Sequence, residues 1–224
     1  SGWMAYATSD DCIYWDKPNL GIRESDGSKD NNLVELARVG DEVVNYRWDG
    51  NVIDDPLEAD PARRYKYFGV CPRPVFGIYV AFSPDGIRWE GRPQPVLDSS
   101  NEPALADKNS LMVDTARGRY VGITKREMVN PFGRGDYGMI HRCQCVTFSD
   151  DFEAWTDPLL ALRPDDRDPP EMQVYGMMGF NYEGMYLGLA DMFWSGEAGP
   201  RERTIDIQLV CSRDAETWWR AGDR

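Results

Sequence analysis

Ser83-Pro84-Asp85-Gly86-Ile87-Arg88-Trp89 is one of four copies of the motif Ser-x-Asp-x-x-x-Trp in this chain of 224 residues. The other copies begin at Ser9, Ser149 and Ser212, so the four starts are 74, 66 and 63 residues apart. A repeat of this kind indicates an array of similar structural units. An apolar stretch precedes each copy, which predicts a β-hairpin. The Ser and Asp side chains would bond the backbone amides of the turn, and the Trp would begin the returning strand.

A second repeated element follows each of the first three motifs after 21 to 24 residues. It consists of an acid, any residue and an amide, and it opens a short apolar stretch. The three copies are Asp30-Asn31-Asn32, Asp107-Lys108-Asn109 and Glu171-Met172-Gln173. Each unit then continues with a turn, a Tyr-bearing strand, a further strand, the motif and a last strand. Four strands per unit, without helical periodicity, are typical of a β-propeller blade.

The repeat therefore predicts an all-β fold, with residues 1–224 forming a single β-propeller domain of four-stranded blades. The motif spacing accounts for three full blade periods and parts of two more blades. Closed propellers typically have about 4–8 blades, so three would be too few for a ring. We expect an incomplete ring, closed by a further segment or by a second chain.

Composition excludes several classes of partner. The net charge of −13 disfavours nucleic acids and anionic membrane surfaces, which bind basic proteins. The sequence has no apolar run long enough to span a bilayer and no visible signal peptide. The compartment stays open, and a secreted or periplasmic location is compatible with the sequence. Five scattered Cys and one His do not form a zinc pattern, so we expect neither a metal nor a cofactor.

The acids of the second element are the candidate catalytic residues. If each acid begins an inner strand, Asp30, Asp107 and Glu171 face one mouth of the central channel. Clustered carboxyls repel one another, which raises the pKa of at least one of them. Glycosidic bond cleavage needs such a set, with one protonated acid and one ionised carboxylate. The candidate substrate-binding residues are Asn32, Asn109, Gln173, Tyr175 and Arg126, with Arg142 and His141 as further candidates.

A resemblance to known proteins is carried by residues 6–21 and 27–32, by Arg64-Tyr65-Lys66, by Gly86-Ile87-Arg88-Trp89 and by Gly118-Arg119-Tyr120-Val121. These stretches resemble bacterial proteins grouped with the five-bladed propeller glycoside hydrolases of families 32, 43 and 68. More distantly, the chain is similar to sialidases, which share Asp-box turns. The resemblance implies a five-bladed ring with a base or nucleophile, an orienting or pKa-tuning acid and a general acid, in the order Asp30, Asp107 and Glu171.

These observations favour a glycoside hydrolase that acts on a carbohydrate by carboxylate acid/base chemistry in the central pocket. The first alternative is a carbohydrate-binding or scaffolding propeller without catalysis, because the same acids and amides also satisfy backbone amides at the starts of strands. The second is a glycoside phosphorylase, which would hold phosphate with Arg126 and Arg142. Inversion or retention depends on the separation of the carboxyls, which the sequence does not provide.

Overall fold

The structure is a computed structural model that describes residues 4–39, 42–43, 50–71, 75–98, 104–129, 140–195 and 203–222. Within these ranges the chain forms fifteen β-strands and one short 3₁₀ helix, Pro61–Arg63. The predicted all-β class is confirmed. No helix in the described part of the chain is long and apolar enough to cross a membrane.

The first blade contains four antiparallel strands in the spatial order β3-β4-β5-β6, with further strands at its outer edge. There, β1 runs parallel to β6 and pairs with β2, while the short strand β7 pairs with β5. The strands are β1 (Glu35–Val39), β2 (Glu42–Val43), β3 (Gly50–Asp54), β4 (Tyr65–Cys71), β5 (Gly77–Ser83), β6 (Arg88–Gly91) and β7 (Leu97–Asp98).

The second and third blades are four-stranded antiparallel sheets, each formed by consecutive strands. The second contains β8 (Ala104–Asp114), β9 (Arg119–Val129), β10 (Ile140–Ser149) and β11 (Leu159–Leu162). The third contains β12 (Met172–Tyr182), β13 (Met185–Trp194), β14 (Ile205–Ser212) and β15 (Trp219–Arg220). No sheet of the described residues closes on itself.

The inner strands β3, β8 and β12 lie side by side. The Asn51 side chain of β3 donates a hydrogen bond of 2.8 Å to the backbone oxygen of Asn109 in β8. The Ser110 hydroxyl of β8 donates one of 2.6 Å to the backbone oxygen of Met177 in β12. These bonds join neighbouring blades along the channel, as a propeller requires.

Apolar side chains alternate along the middle strands, so each blade presents an apolar face to its neighbour. The first cluster packs Phe68 and Val80 of the first blade against Tyr120 and Phe152 of the second. The second cluster joins the second blade to the third, where Trp218 is buried. The main cores therefore lie between blades. A third cluster covers the opposite face of the first blade with side chains that precede β1, including Met4, Tyr6 and Leu20.

All four motifs form the predicted turn. In the third copy the Ser149 hydroxyl accepts a hydrogen bond of 2.8 Å from the Phe152 amide, and Asp151 Oδ1 accepts the next two backbone amides at 2.8 Å each. The other three copies have the same bonds. The fourth position is left-handed in every copy, with φ between 60° and 74° at Cys12, Gly86, Phe152 and Ala215. The Trp is buried or half-buried in three copies, whereas Trp15 is exposed.

Replacing Ser149 with alanine should lower the free energy of unfolding by about 1–3 kcal/mol, because the buried Phe152 amide would lose its acceptor. Urea unfolding measures this change. Ser9 makes the same bond in an exposed turn, so Ser9→Ala is the matched control and should change stability by less than about 0.5 kcal/mol. Equal losses of stability in the two variants would contradict the expectation that this bond stabilises the protein more in a buried turn than in an exposed one.

Candidate functional site

The inner strands of the second and third blades are both bulged near their beginnings. Between Leu105 and Asn109, three residues of β8 stand opposite a single residue of β9. In β12, Tyr175 is an extra residue between Val174 and Gly176, whose partners on β13 are consecutive. Bulges redirect side chains and are common next to active sites. Together they bring charged and aromatic side chains to one end of the channel.

Asp107 lies in the first bulge, and its side chain is half exposed. The almost fully buried Lys125 of β9 donates a hydrogen bond to it and forms an ion pair with it. Partial burial raises the pKa of the Asp107 carboxyl, but the hydrogen bond and charge of Lys125, helped by the charge of Arg142, lower it below its usual value. Asp107 is therefore held as a carboxylate with access to solvent.

The Tyr175 ring lies at the centre of a group of cations. Lys125 Nζ is 4.1 Å from the ring centroid, Arg142 Cζ is 5.2 Å away and Lys108 Nζ is 5.6 Å away. The ring of Phe193 in β13 is tilted against it at 5.7 Å. Cations at these distances are attracted to an aromatic face, so the arrangement fixes the half-buried ring in place. Five strands from two blades contribute to this cluster.

A second ion pair crosses from one blade to the next in the same region. Lys108 Nζ lies 2.8 Å from Asp191 Oδ2 of β13. Gly176 lies beside this pair, and a Cβ atom at that position would lie 2.7 Å from Asp191 Oδ2 and 2.9 Å from Lys108 Cε. Only glycine leaves room for this pair without a shift of its partners.

The predicted amides are largely engaged within the protein. Gln173 is buried, and its Oε1 accepts a hydrogen bond of 3.1 Å from Arg142 Nη1. Asn109 is also buried, and its side chain donates a hydrogen bond of 3.3 Å to the backbone oxygen of Ala106. These contacts support the bulge of β8 and the position of Arg142. His141 is half-buried and its Nε2 lies 2.9 Å from the backbone oxygen of Pro170.

Glu171 directly precedes β12 and is half-buried. Its backbone oxygen accepts hydrogen bonds from the Ser195 amide at 3.0 Å and the Ser195 hydroxyl at 2.7 Å, which fixes the residue at the start of the strand. The strands β8 and β12 run in the same direction, because Ser110 bonds Met177 and Asn181 bonds Val113. Glu171 and Asp107 thus stand near the beginnings of adjacent inner strands, at the same end of the channel.

The prediction that Asp30 and Asn32 begin an inner strand is wrong. The inner strand of the first blade is β3, whereas the strand that follows Asp30 is β1, which pairs with the outermost blade strand β6. Asp30 is exposed and accepts a hydrogen bond from the Asn19 side chain, and the Asn32 side chain donates one of 2.6 Å to the backbone oxygen of Tyr6. None of the hydrogen bonds and ion pairs of the described residues joins Asp30 to Asp107 or Glu171.

Arg126 is also placed away from this cluster. It is fully buried and follows Lys125 in β9, so the two side chains point to opposite faces of the sheet. Burial lowers the pKa of the Arg126 guanidinium. Its Nε donates a hydrogen bond of 3.3 Å to the Thr124 hydroxyl. Lys125, and not the candidate substrate-binding residue Arg126, contributes its side chain to the cluster around Tyr175.

The candidate site therefore includes Asp107, Glu171 and Tyr175, which were predicted from sequence, and Lys108, Lys125 and Asp191, which sequence reasoning missed. Asp191 could have been identified from sequence, because it is an acid that follows the apolar stretch Leu187-Gly188-Leu189-Ala190. The sequence contains no comparable signal for the two bulges. Among the described residues no group of three His, Cys, Asp or Glu side chains is placed to hold a metal ion. The four motif turns lie at the other end of the blades, since Ser149 ends the strand β10 that passes Arg142 near its start.

A comparison with solved structures finds proteins of similar architecture. Sucrose-6-phosphate hydrolase from Lactobacillus gasseri matches with a TM-score of 0.53 and 18% identity, over 77% of this chain and 33% of the hydrolase chain. A thermostable family-43 glycoside hydrolase matches with a TM-score of 0.52 and 15% identity, over 79% and 54% of the two chains. The chain has the fold of the propeller glycoside hydrolases. The predicted incomplete propeller is thereby confirmed.

A third neighbour acts on sugars in a different way. An N-acetylgalactosamine deacetylase from F. plautii, solved with blood group B trisaccharide, matches with a TM-score of 0.55 and 12% identity, over 96% of this chain and 59% of the deacetylase chain. The chain spans between 33% and 59% of the length of these three proteins. No family model and no curated protein sequence matches it.

Proposed function

We propose that this protein is a glycoside hydrolase that uses Asp107 and Glu171 at the beginnings of adjacent inner strands. The observation that carries the proposal is the ion pair of Asp107 with Lys125, which keeps a solvent-accessible carboxylate ionised beside an aromatic ring. A glycosidase needs one ionised carboxylate and one acid that protonates the leaving oxygen. Asp107 fits the first requirement, and Glu171 would meet the second.

The remaining residues of the site would position the sugar and the carboxylates. Tyr175 supplies a flat apolar face, and Phe193 supports it from the neighbouring strand. Lys125 and Arg142 would hold Asp107 in its ionised form, as their effect on its pKa indicates. Gln173 and Asn109 are buried and act on the protein rather than on the sugar. The role predicted for Asp30 is not part of this arrangement, because the residue lies beside the outer edge of the first blade.

The test is a screen of the full-length protein against aryl glycosides and plant or algal oligosaccharides. It includes N-acetylgalactosaminides, because one structural neighbour is a deacetylase. Release of the aglycone or of shorter oligosaccharides supports the hydrolase. Sugar binding without turnover would replace the proposal with the non-catalytic binding module. Turnover that depends on added phosphate would replace it with the phosphorylase, and release of acetate alone with a deacetylase.

Lys125→Met should shift the acidic limb of the pH profile of kcat/KM to higher pH. Lys125 lowers the pKa of the Asp107 carboxyl, so its removal lets Asp107 take up a proton at a higher pH and lose its function earlier as pH falls. Lys125→Arg keeps the charge and should restore the original limb. Lys108→Met is the matched control, since Lys108 pairs with Asp191 instead. An unchanged acidic limb in Lys125→Met would contradict the proposal that Lys125 lowers the pKa of the Asp107 carboxyl.

A further inference from the structure

Residues 163–170 connect the second blade to the third at the end of the channel that carries the candidate site. They follow β11, whose last residue Leu162 pairs with Gln144 near the start of β10, and they lead through Glu171 into β12. This stretch, which we call the connecting segment, therefore runs from the outermost strand of one blade to the innermost strand of the next.

The connecting segment borders a cavity of about 360 Å³. Met128, His141 and Arg142 line this cavity on the side of the second blade, and residues of the segment line it on the other side. Residues 163–170 are all exposed or half-buried. Burial of apolar side chains therefore contributes little to the position of the segment, and polar contacts must hold it.

The first of these contacts joins the middle of the segment to the third blade. Arg220 of β15 donates hydrogen bonds of 2.5 and 2.8 Å to the two carboxylate oxygens of Asp168, and the two side chains are only 4% and 2% exposed. The Asp165 amide donates a further hydrogen bond of 2.8 Å to Asp168 Oδ2. A bidentate pair of this kind fixes both the distance and the orientation of its partners.

His141 of the second blade makes the second contact, at the end of the segment. Its Nε2 lies 2.9 Å from the backbone oxygen of Pro170. A carbonyl oxygen can only accept a hydrogen bond, so Nε2 carries the proton and donates it. Pro169 and Pro170 have no amide hydrogen, and the Pro169 oxygen accepts a bond of 3.0 Å from the Met172 amide. The proline pair is thus held through its carbonyl groups.

The two peptide units that flank the Glu171 Cα atom are both fixed by neighbouring residues. The Pro170 carbonyl, which His141 bonds, belongs to the same planar unit as the Glu171 amide. The Glu171 carbonyl belongs to the next unit, and it accepts the two hydrogen bonds from Ser195. With both units fixed, the direction in which the Glu171 side chain leaves the backbone is fixed as well.

We propose that His141 is a positioning residue for Glu171, a role that rests on the proposed function of Glu171 as the acid of a glycoside hydrolase. Its hydrogen bond acts through the backbone and keeps the Glu171 carboxyl in one place relative to Asp107 on the adjacent inner strand. The separation of the two carboxyls decides how a glycosidic bond is cleaved. A displacement of about 1 Å can lower the rate about 10²-fold.

The first test compares two substitutions of His141 by steady-state kinetics, with circular dichroism to verify folding. His141→Leu should lower kcat by a factor on the order of 10–10² and change KM less than about threefold, because the acid is displaced while the sugar-binding residues stay. His141→Gln should retain most of kcat, since its amide can donate to the Pro170 oxygen from a similar position. Equal losses of kcat in both variants, or a loss in neither, overturn the proposal.

A matched control changes another side chain of the same cavity. Met128 lines the cavity and pairs with His141 across the two strands, but Met128→Leu keeps the apolar volume and removes no hydrogen bond. It should leave kcat unchanged within a factor of about two. A loss of kcat in Met128→Leu as large as that in His141→Leu would assign the effect to the cavity and overturn the role of the bond.

Two measurements on the 224-residue chain need no substrate. His141 is the only histidine in the sequence, so ¹⁵N NMR reports on a single imidazole ring. In alkaline solution, where imidazole is neutral, we expect the tautomer with the proton on Nε2. In hydrogen–deuterium exchange, the Met172 amide should exchange faster in His141→Leu by a factor on the order of ten, and at the original rate in His141→Gln. A proton on Nδ1, or equal exchange in all three proteins, overturns the proposal.

The results distinguish this role from the proposed function. Full turnover in Glu171→Gln refutes the proposed function, and the positioning role is refuted with it. Loss of turnover in Glu171→Gln together with full turnover in His141→Leu retains the function and overturns the positioning role alone.

Discussion

Asp107→Asn and Glu171→Gln should each lower kcat/KM by a factor on the order of 10²–10⁴, the usual contribution of a general acid or base. The asparagine keeps the shape of the side chain and can still bond Lys125, but it cannot carry the negative charge. The glutamine likewise removes the acid–base group of Glu171 while the backbone bonds to Ser195 stay. Steady-state kinetics on the substrate found in the screen, with circular dichroism to verify folding, measures both.

Asp30→Asn distinguishes the set of three acids predicted from sequence from the proposed pair of Asp107 and Glu171. The sequence placed Asp30 with the other acids, whereas the structure places it in an exposed loop where Asn19 bonds it. We therefore expect Asp30→Asn to retain turnover within a factor of about two, since it removes no acid–base group from the site. Loss of turnover in this variant, with Asp107→Asn fully active, would refute the proposed pair.

Asp55→Ala should lower the free energy of unfolding by about 3–5 kcal/mol, because the buried Lys66 charge would lose its fully buried partner and keep the partly exposed Glu58 as its remaining one. Lys66 Nζ lies 2.5 Å from Asp55 Oδ2, and both side chains are fully buried. The Tyr120 hydroxyl of the second blade donates a hydrogen bond of 2.5 Å to the same oxygen. The carboxylate thus joins the first blade to the second, and its loss affects a strand ion pair and an interface together. Urea unfolding monitored by tryptophan fluorescence measures the change.

Two variants control for this prediction. Asp54 directly precedes Asp55 and pairs with Arg64 at the surface, so Asp54→Ala should leave the free energy of unfolding almost unchanged. The double variant Asp55→Leu with Lys66→Met removes both charges and should be more stable than Asp55→Ala. A double variant no more stable than Asp55→Ala would show that the buried charge is not the source of the loss.

The repeat allowed the fold to be predicted because each motif turn is fixed by contacts among a few consecutive residues. The Ser and Asp of the motif bond their own turn, so the hairpin is specified by seven consecutive residues wherever it occurs. The Tyr-bearing strands were predicted for the same reason, since each lies next to a short turn. The number of strands per blade follows from these two signals.

The inner strand of the first blade was assigned wrongly because the spacing rule ignores insertions. In the second and third blades the acid-x-amide element lies at the beginning of the inner strand. In the first, the element is followed by β1 and β2, and the inner strand β3 begins only at Gly50. A pattern of two polar residues carries no information on which strand a segment will pair with.

The candidate site was predicted in part. Asp107 and Glu171 were found because acids at strand starts recur with the motif. Lys125 was missed in favour of Arg126, and strand alternation alone could not say which neighbour faces the third blade. The bulges that present Asp107 and Tyr175 arise from the register in which β8 and β12 pair with the next strands, β9 and β13. A shift of register leaves no signal in the residue pattern of a single strand.

The candidate site and the motif turns occupy opposite ends of the blades, so residues at one end can be substituted independently of those at the other. Substitutions at the turn end act on the stability of the sheets, while substitutions at the other end act on the candidate site. A variant library restricted to loops at the channel mouth should therefore change substrate preference with little loss of soluble yield. For immobilisation on a surface, attachment through the hairpin tips would leave the reactive end open to solution.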